Sequence, residues 1–269
     1  VKKYLLILLF LTVIPFAHAE DQLPLPIDTC LQQLKYGLPT EHGDIVKICR
    51  HAYISAYDKT AKIPQWVAYN VEPKNAIGCV PRESNFAVET TVPPDARART
   101  SDYAGSGFDI GHMADAASMS WSAQTEDESF ILSNASPQTP NLNRGIWKLL
   151  EIKIRVWAYA GRSMTVYTGG IYDEHSHKIG DGVVVPDKFY KIVVDNTTGE
   201  SLAFLFDNEP IYHNDLNRHI VPVAVIEAVT GLTFPIPGDK HIEGTLWPAD
   251  GRKLKHDKRR VCNTKTKPI

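Results

Sequence analysis

The sequence holds no Cys-x-x-Cys pair, no glycine-rich phosphate loop and no Gly-x-Ser-x-Gly elbow. A thiolate zinc site, a nucleotide-cradling loop and a serine-hydrolase nucleophile are each left without their usual residues. Internal repeats, low-complexity segments and long linkers are missing too, so one domain over residues 20–269 is the expectation. Past Phe16 no apolar run approaches the roughly 20 residues that a bilayer-spanning helix needs. Basic charge is not in excess either: 29 Lys and Arg stand against 31 Asp and Glu, a formal net charge of −2. A polyanionic partner would have to be met by a local basic patch rather than by the surface as a whole.

The chain opens with two lysines, an apolar run from Tyr4 to Phe16 and the small-residue site Ala17-His18-Ala19. That order predicts a cleavable signal peptide over residues 1–19, hence a secreted or periplasmic protein without a membrane anchor after cleavage. In an oxidising compartment Cys30, Cys49, Cys79 and Cys262 would form two disulfides. Three pairings are open; Cys30 with Cys49 closes a short loop and would leave Cys79 to tie back the late Cys262. The tail around "GRKLKHDKRR" carries the densest basic charge in the chain. It reads either as a polyanion-binding patch or as a solvated, partly disordered extension.

Runs with strand character cover 51–57, 65–71, 164–172, 189–195 and 201–207. The last two flank "NTTGE" and predict a hairpin. Apolar residues at 146, 149, 150, 154 and 157 recur at helical spacing, and Gly161 is placed to stop that helix. A second helix is expected between Pro222 and Gly231. Strands grouped around two helices indicate an α+β fold, a central antiparallel β-sheet flanked by helices. The polar stretch 92–107 reads as a long loop.

Hydrogen-bonding side chains gather between 109 and 151: Asp109, His112, Asn134, Gln138, Asn143 and Glu151. A neutral imidazole titrates near neutrality and suits a general base. A hard cation such as Mg2+ keeps most of its waters, so one amide oxygen with a nearby carboxylate can hold it against a phosphodiester. On a regular helix Asn143 and Glu151 would lie about 80° and roughly 12 Å apart, too far to clasp one ion together. Glu151 would act through the cation's water shell or by orienting Arg155 one turn on. Each residue also has an ordinary structural role: Asn143 as a helix cap, Glu151 and Arg155 as a surface pair, His112 as a loop histidine. His175 and His177 have a chelating two-residue spacing, but in an exposed loop such a pair is usually incidental.

Taken in order, "DIGH" at 109–112, "SNASPQ" at 133–138 and "LNRGIWKLLE" at 142–151 resemble the DNA/RNA non-specific endonucleases, whose signature is Asp-Arg-Gly-His. Stretches similar to that family extend the likeness over roughly residues 27 to 262. The resemblance implies a ββα-metal active-site motif and a metal-dependent nuclease acting on DNA and RNA, with magnesium or, in its place, manganese. It makes His112 the general base, its ring steadied by the backbone at Asn134, and Asn143 the sole direct protein ligand of a hydrated cation. Glu151 would touch the cation's water shell, and Arg82 in "PRESNF" would stabilise the pentacovalent state. Asp109, Arg155, Arg97 and Arg99 are the further candidates for contacts to substrate, and a protein inhibitor is a conceivable partner. Ile110 departs from the pattern, because the family's arginine there adds positive charge beside the phosphate. Arg97 or Arg99 could offset that loss; without compensation the chain would bind nucleic acid or a partner and cut it weakly or not at all.

Overall fold

The computed structural model describes residues 23–32, 34–83 and 85–265; the leader expected over residues 1–19 lies outside them. The first half of the chain forms α1 (Ile27–Leu31), β1 (Ile45–Cys49), β2 (Tyr53–Asp58), β3 (Ile63–Val71), α2 (Thr100–Tyr103), β4 (Asp109–His112), α3 (Ala116–Met119), α4 (Ala123–Ser129) and β5 (Ala135–Gln138). The second half forms α5 (Pro140–Leu142), α6 (Lys148–Tyr159), β6 (Met164–Ile171), β7 (Lys178–Ile179), β8 (Val183–Val184), β9 (Lys188–Asp195), β10 (Ser201–Asp207), β11 (Ile220–Val221), α7 (Val223–Thr230) and α8 (Gly251–Lys265). Seven strands make one antiparallel sheet in the order β1-β2-β3-β6-β9-β10-β11, the architecture the sequence pattern predicts.

Both faces of that sheet are covered, and the strands show why. Along β9, Phe189 and Val193 join a core with Leu150, Ile154 and Trp157 of α6. The alternate residues Tyr190, Ile192 and Val194 join a second core with Val223 and Ile226 of α7 and Cys30 of α1. Period-two alternation therefore feeds two apolar layers rather than one apolar and one wet face. Lys191 interrupts the first layer as a fully buried cation, and its role emerges at the active site.

The five strand runs fall on β2, β3, β6, β9 and β10, and the predicted hairpin is the β9–β10 pair. Its turn is held by the Asp195 carboxylate, which accepts from Thr197 N and Thr198 N at 2.7 and 3.2 Å, and Gly199 takes the left-handed φ of 79° that closes it. Helix α7 begins after Pro222 and ends at Gly231, also left-handed at φ 69°. The disulfides are Cys30–Cys49 and Cys79–Cys262.

Three expectations are corrected. The basic tail is helical, because Leu254 is buried, Tyr159 donates to Asp257, and the second disulfide fastens Cys262. The stretch 92–107 is ordered by a short turn at Pro94–Ala96 and by α2, with Tyr57 Oη donating to the Ala96 carbonyl at 3.0 Å. The helix through 141–161 is not continuous: between α5 and α6 it widens into a π-type turn over Asn143–Trp147, with Gly145 at φ −100°, ψ −113°. That break changes where Asn143 points relative to Glu151.

A buried ion pair docks the segments that carry the site onto the sheet edge. Arg50, 1% exposed, donates through Nη2 to Glu89 Oε2 at 2.7 Å, and the same oxygen accepts from Ser133 Oγ at 2.8 Å. Burial pushes the Glu89 carboxyl up, but Arg50, Thr91 and Ser133 outweigh it and hold it below the usual carboxylate range. A depressed carboxyl contributes stability above its unfolded value of about 4.3, and that contribution is lost as the pH falls through the lower folded value. Glu89→Gln should cost about 3–5 kcal/mol at neutral pH by removing the carboxylate that faces the buried Arg50, and should flatten the acid limb of thermal stability below about pH 4.3. Melting curves of both proteins between neutral pH and the acid limb measure this.

Candidate active site

Strands β4 and β5 form a separate antiparallel ribbon with Asp109 opposite Gln138 and His112 opposite Ala135. The chain then turns through Pro140 into α5 and α6, giving the ββα unit that the resemblance implies. Gly111 has a steric reason to be glycine: a Cβ there would stand 2.1 Å from Gln138 Oε1. The ribbon thus closes tightly one residue before the histidine.

Everything around His112 fixes its backbone. Trp147 Nε1 donates to the His112 carbonyl at 3.4 Å, and Met113 N donates to the Asn134 carbonyl at 2.9 Å. Lys191 Nζ, reaching up from β9, donates to the Met113 carbonyl at 3.1 Å while lying 4.5 Å from the Trp147 ring centroid. The Asn134 side chain accepts from Ala114 N and donates to the Ala114 and Ser129 carbonyls, at 2.9, 2.9 and 2.8 Å. Three consecutive residues are held by groups from the turn before β5, the π-type turn before α6 and the sheet. The ring itself is wedged between Phe86 and Phe130, with centroid distances of 4.7 and 4.6 Å. This corrects the expected contact from Asn134: its carbonyl serves Met113, and it positions the histidine through the backbone rather than by holding the ring.

His112 is buried, and its Nε2 has no hydrogen-bond partner among the described residues. Burial, with Arg82 nearby, pulls its pKa down to about 3, so the imidazole is neutral at physiological pH. The Arg82 guanidinium sits over Phe130 at 5.0 Å, on the ring that also supports the histidine. A cleft of about 430 Å³ brings together Arg82, His112, Asn143, Glu151 and Arg155 from the sequence reading.

The oxygens in this cleft suit a hard cation. Asn143 gives its amide nitrogen to Asp109 Oδ2 at 2.9 Å, which leaves its amide oxygen without a donor among the described residues. Glu151 makes no hydrogen bond among them; burial and the neighbouring Asp115 push its carboxyl up, against Lys191, Arg155 and Arg82. A cation would relieve that carboxylate. No group of three His, Cys, Asp or Glu among the described residues could cage a metal, so the donor set fits an ion that keeps much of its hydration shell.

Several assignments move. Arg155 pairs with Asp115, whose carboxylate also caps α3 by accepting from Ser118 N and Oγ at 3.0 and 2.7 Å, so Glu151 does not orient it by an ion pair. Arg97 and Arg99 brace their own loop, donating to the carbonyls of Val92, Thr90 and Pro94, and do not line the cleft. Asp109 binds Arg144 bidentately at 2.8 and 2.5 Å. Arg144 and Lys148 line the cleft together with Ile110, which puts two basic side chains on its helical side. Arg144, Lys148, Asp115 and Lys191 were missed by sequence reasoning. Arg144 and Lys148, inside the 142–151 motif, carried a signal that could have found them; Asp115 and Lys191 did not.

The family model described as DNA/RNA non-specific endonuclease matches residues 32–238. Human mitochondrial endonuclease G is 32% identical over 216 residues, covering 74% of this chain and 72% of its own length. A Saccharomyces cerevisiae mitochondrial nuclease is 32% identical over 223 residues, covering 74% and 67%. A solved EndoG in complex with EndoGI, titled as a mechanism of EndoG inhibition, has a TM-score of 0.68 at 28% identity, covering 76% of this chain and 90% of that one. These names correct the expectation of a secreted or periplasmic protein: the curated relatives are mitochondrial nucleases and point to a mitochondrial rather than an exported setting.

Asn134→Ala should lower stability by about 3 kcal/mol, since it leaves Ala114 N and two buried carbonyls unpaired. Asn134→Asp should not rescue it, because an oxygen would then face the Ala114 and Ser129 carbonyls. Urea unfolding of the three proteins reads the difference.

Proposed function

This chain belongs to the DNA/RNA non-specific endonuclease family and is a metal-dependent nuclease, and from that we propose that it hydrolyses phosphodiester bonds of both DNA and RNA with magnesium as its working cation. One observation carries this reading: a neutral His112 imidazole lines the same cleft as the oxygens of Asn143 and Glu151, which accept no hydrogen bond among the described residues. His112 accepts the proton of the attacking water. Its starting pKa is low, and the negative phosphate entering the cleft raises it as the reaction proceeds. Asn143 would hold the cation through its amide oxygen, and Glu151 would act on the cation's water shell. The bound ion supplies positive charge against the scissile phosphate and the departing oxygen.

Arg82 presents a fork of donors to the charge that grows on phosphorus oxygens, and it stacks on Phe130, the ring that also packs against His112. Arg144 takes the part vacated at Ile110: Asp109 holds the guanidinium at the cleft mouth, where its charge meets an incoming phosphate. Arg155, neutralised by Asp115, shapes the wall. Because these groups read phosphate and not base, tolerance of sugar and sequence follows. Residues 20–269 act as one domain in this reading, which is supported by the unbroken sheet and by the disulfide returning Cys262 to Cys79. The likeness to EndoG, solved in complex with its inhibitor EndoGI, supports a protein inhibitor as a partner class.

Plasmid DNA and total RNA, each incubated with magnesium or with a chelator, test the activity. Wild type should degrade both in magnesium only, and His112→Ala should lose roughly 10²–10⁴ in rate while melting like wild type. Intact substrates after prolonged wild-type incubation in magnesium would end the proposal. Arg144→Gln should cost about tenfold in kcat/KM, on the scale of one charge-assisted contact. An unchanged value would return the compensation for Ile110 to some other group.

A further inference from the structure

The basic C-terminal helix α8 lies beyond residues 32–238, the part matched by the family model, and the catalytic reading leaves its charge unused. Its inner face is specific. Leu254 is buried, Asp257 accepts from Tyr159 of α6, and Gly251 sits against Val156, where a Cβ would come within 3.1 Å. Cys262 is bonded to Cys79, three residues before Arg82, so the helix is fastened to the segment carrying a cleft arginine. Lys258, half-buried on the flank, interacts electrostatically with Arg155, Asp115 and Glu126.

The remaining face carries Arg252, Lys255, His256, Arg259, Arg260 and Asn263 along an open groove, spacings that place all six on one side of a helix. Lys255 and Arg259 have no acidic partner among the described residues, whereas Arg252 is bound to Asp250. At 100° per residue, Lys255 and Arg259 lie about 60° and 100° around the axis from Lys258 on the same side, and so about 40° from each other. Basic charge therefore continues from the cleft wall onto the outside of α8. On a chain whose total charge is negative, such concentrated positive charge needs a local purpose.

We propose that α8 is an accessory phosphate-binding ledge: nucleic acid bound in the catalytic cleft extends over this helix, where Lys255 and Arg259 contact its backbone. The ledge rests on the nuclease reading for its ligand. Its part is to hold substrate on either side of the cut, and it takes no part in bond cleavage. The Cys79–Cys262 disulfide keeps ledge and cleft in register.

The test measures binding without catalysis. A fluorescently labelled DNA duplex is titrated with wild type and with Lys255→Gln/Arg259→Gln in a chelator, across a series of salt concentrations, by anisotropy. Loss of two phosphate contacts should reduce the slope of log K against log salt by about 2 and weaken binding several-fold at low salt. Cleavage of a dinucleotide-sized substrate, too short to reach α8, should keep the wild-type kcat. Lys47→Gln/Lys59→Gln, which removes two charges at the outer edge of the sheet, should leave the slope unchanged. An equal slope for wild type and the α8 variant, or an equal drop in the sheet-edge control, overturns the ledge. A wild type that binds with the expected slope yet never cuts would instead sink the nuclease reading and leave the ledge standing.

Discussion

The site depends on how tightly the backbone from His112 to Ala114 is held. A buried peptide group must find a partner or lose the free energy of its hydration. Here the partners are Asn134, Trp147 and Lys191, supplied by the turn before β5, the start of α6 and the middle of the sheet. With those bonds made, the histidine has little freedom to turn away. Its ring can then be left with a buried Nε2 that has no partner among the described residues, a cost that a loosely held loop would avoid by moving.

The charges beneath the cleft follow from the same arrangement. Lys191 is buried because its aliphatic stem lies in the apolar layer between sheet and α6, while its ammonium meets the Met113 carbonyl and the rings of Tyr69 and Trp147. Burial lowers its affinity for the proton; Glu151 and Asp115 counter that loss. Asp115 in turn is shared between Arg155 and the cap of α3. The result is a cleft whose structural charges are mutually compensated. Asn143, Glu151 and the exposed cations Arg82 and Lys148 remain available to ion and phosphate, with Arg144 exposed beside them but paired with Asp109.

Two covalent ties and one ionic tie brace the periphery. Cys30–Cys49 pins α1 to the edge strand, Arg50–Glu89 docks the segment before the active-site ribbon, and Cys79–Cys262 brings the last helix to the segment leading to Arg82. The second disulfide, with a sequence separation of 183, joins the last helix to an element far away in sequence, which no local propensity could have specified.

The primary structure alone determined the period-two runs of five strands, the limits of α7 at Pro222 and Gly231, and the order of Asp109, His112, Asn143 and Glu151, because spacing, turn chemistry and motif order are local properties. It marked Ile110 as a missing charge but not its replacement. Arg97 and Arg99, near in sequence, proved to be loop braces, while Arg144 arrived across the ribbon through Asp109. Only the tertiary structure decided this, since a salt bridge depends on where two side chains end in space. The same holds for Asn143 and Glu151, which a regular helix would set about 80° apart but which share a cleft once Gly145 breaks the regular winding. It holds as well for Lys191, a lysine in an apolar strand whose purpose exists only where the loop after His112 crosses above it.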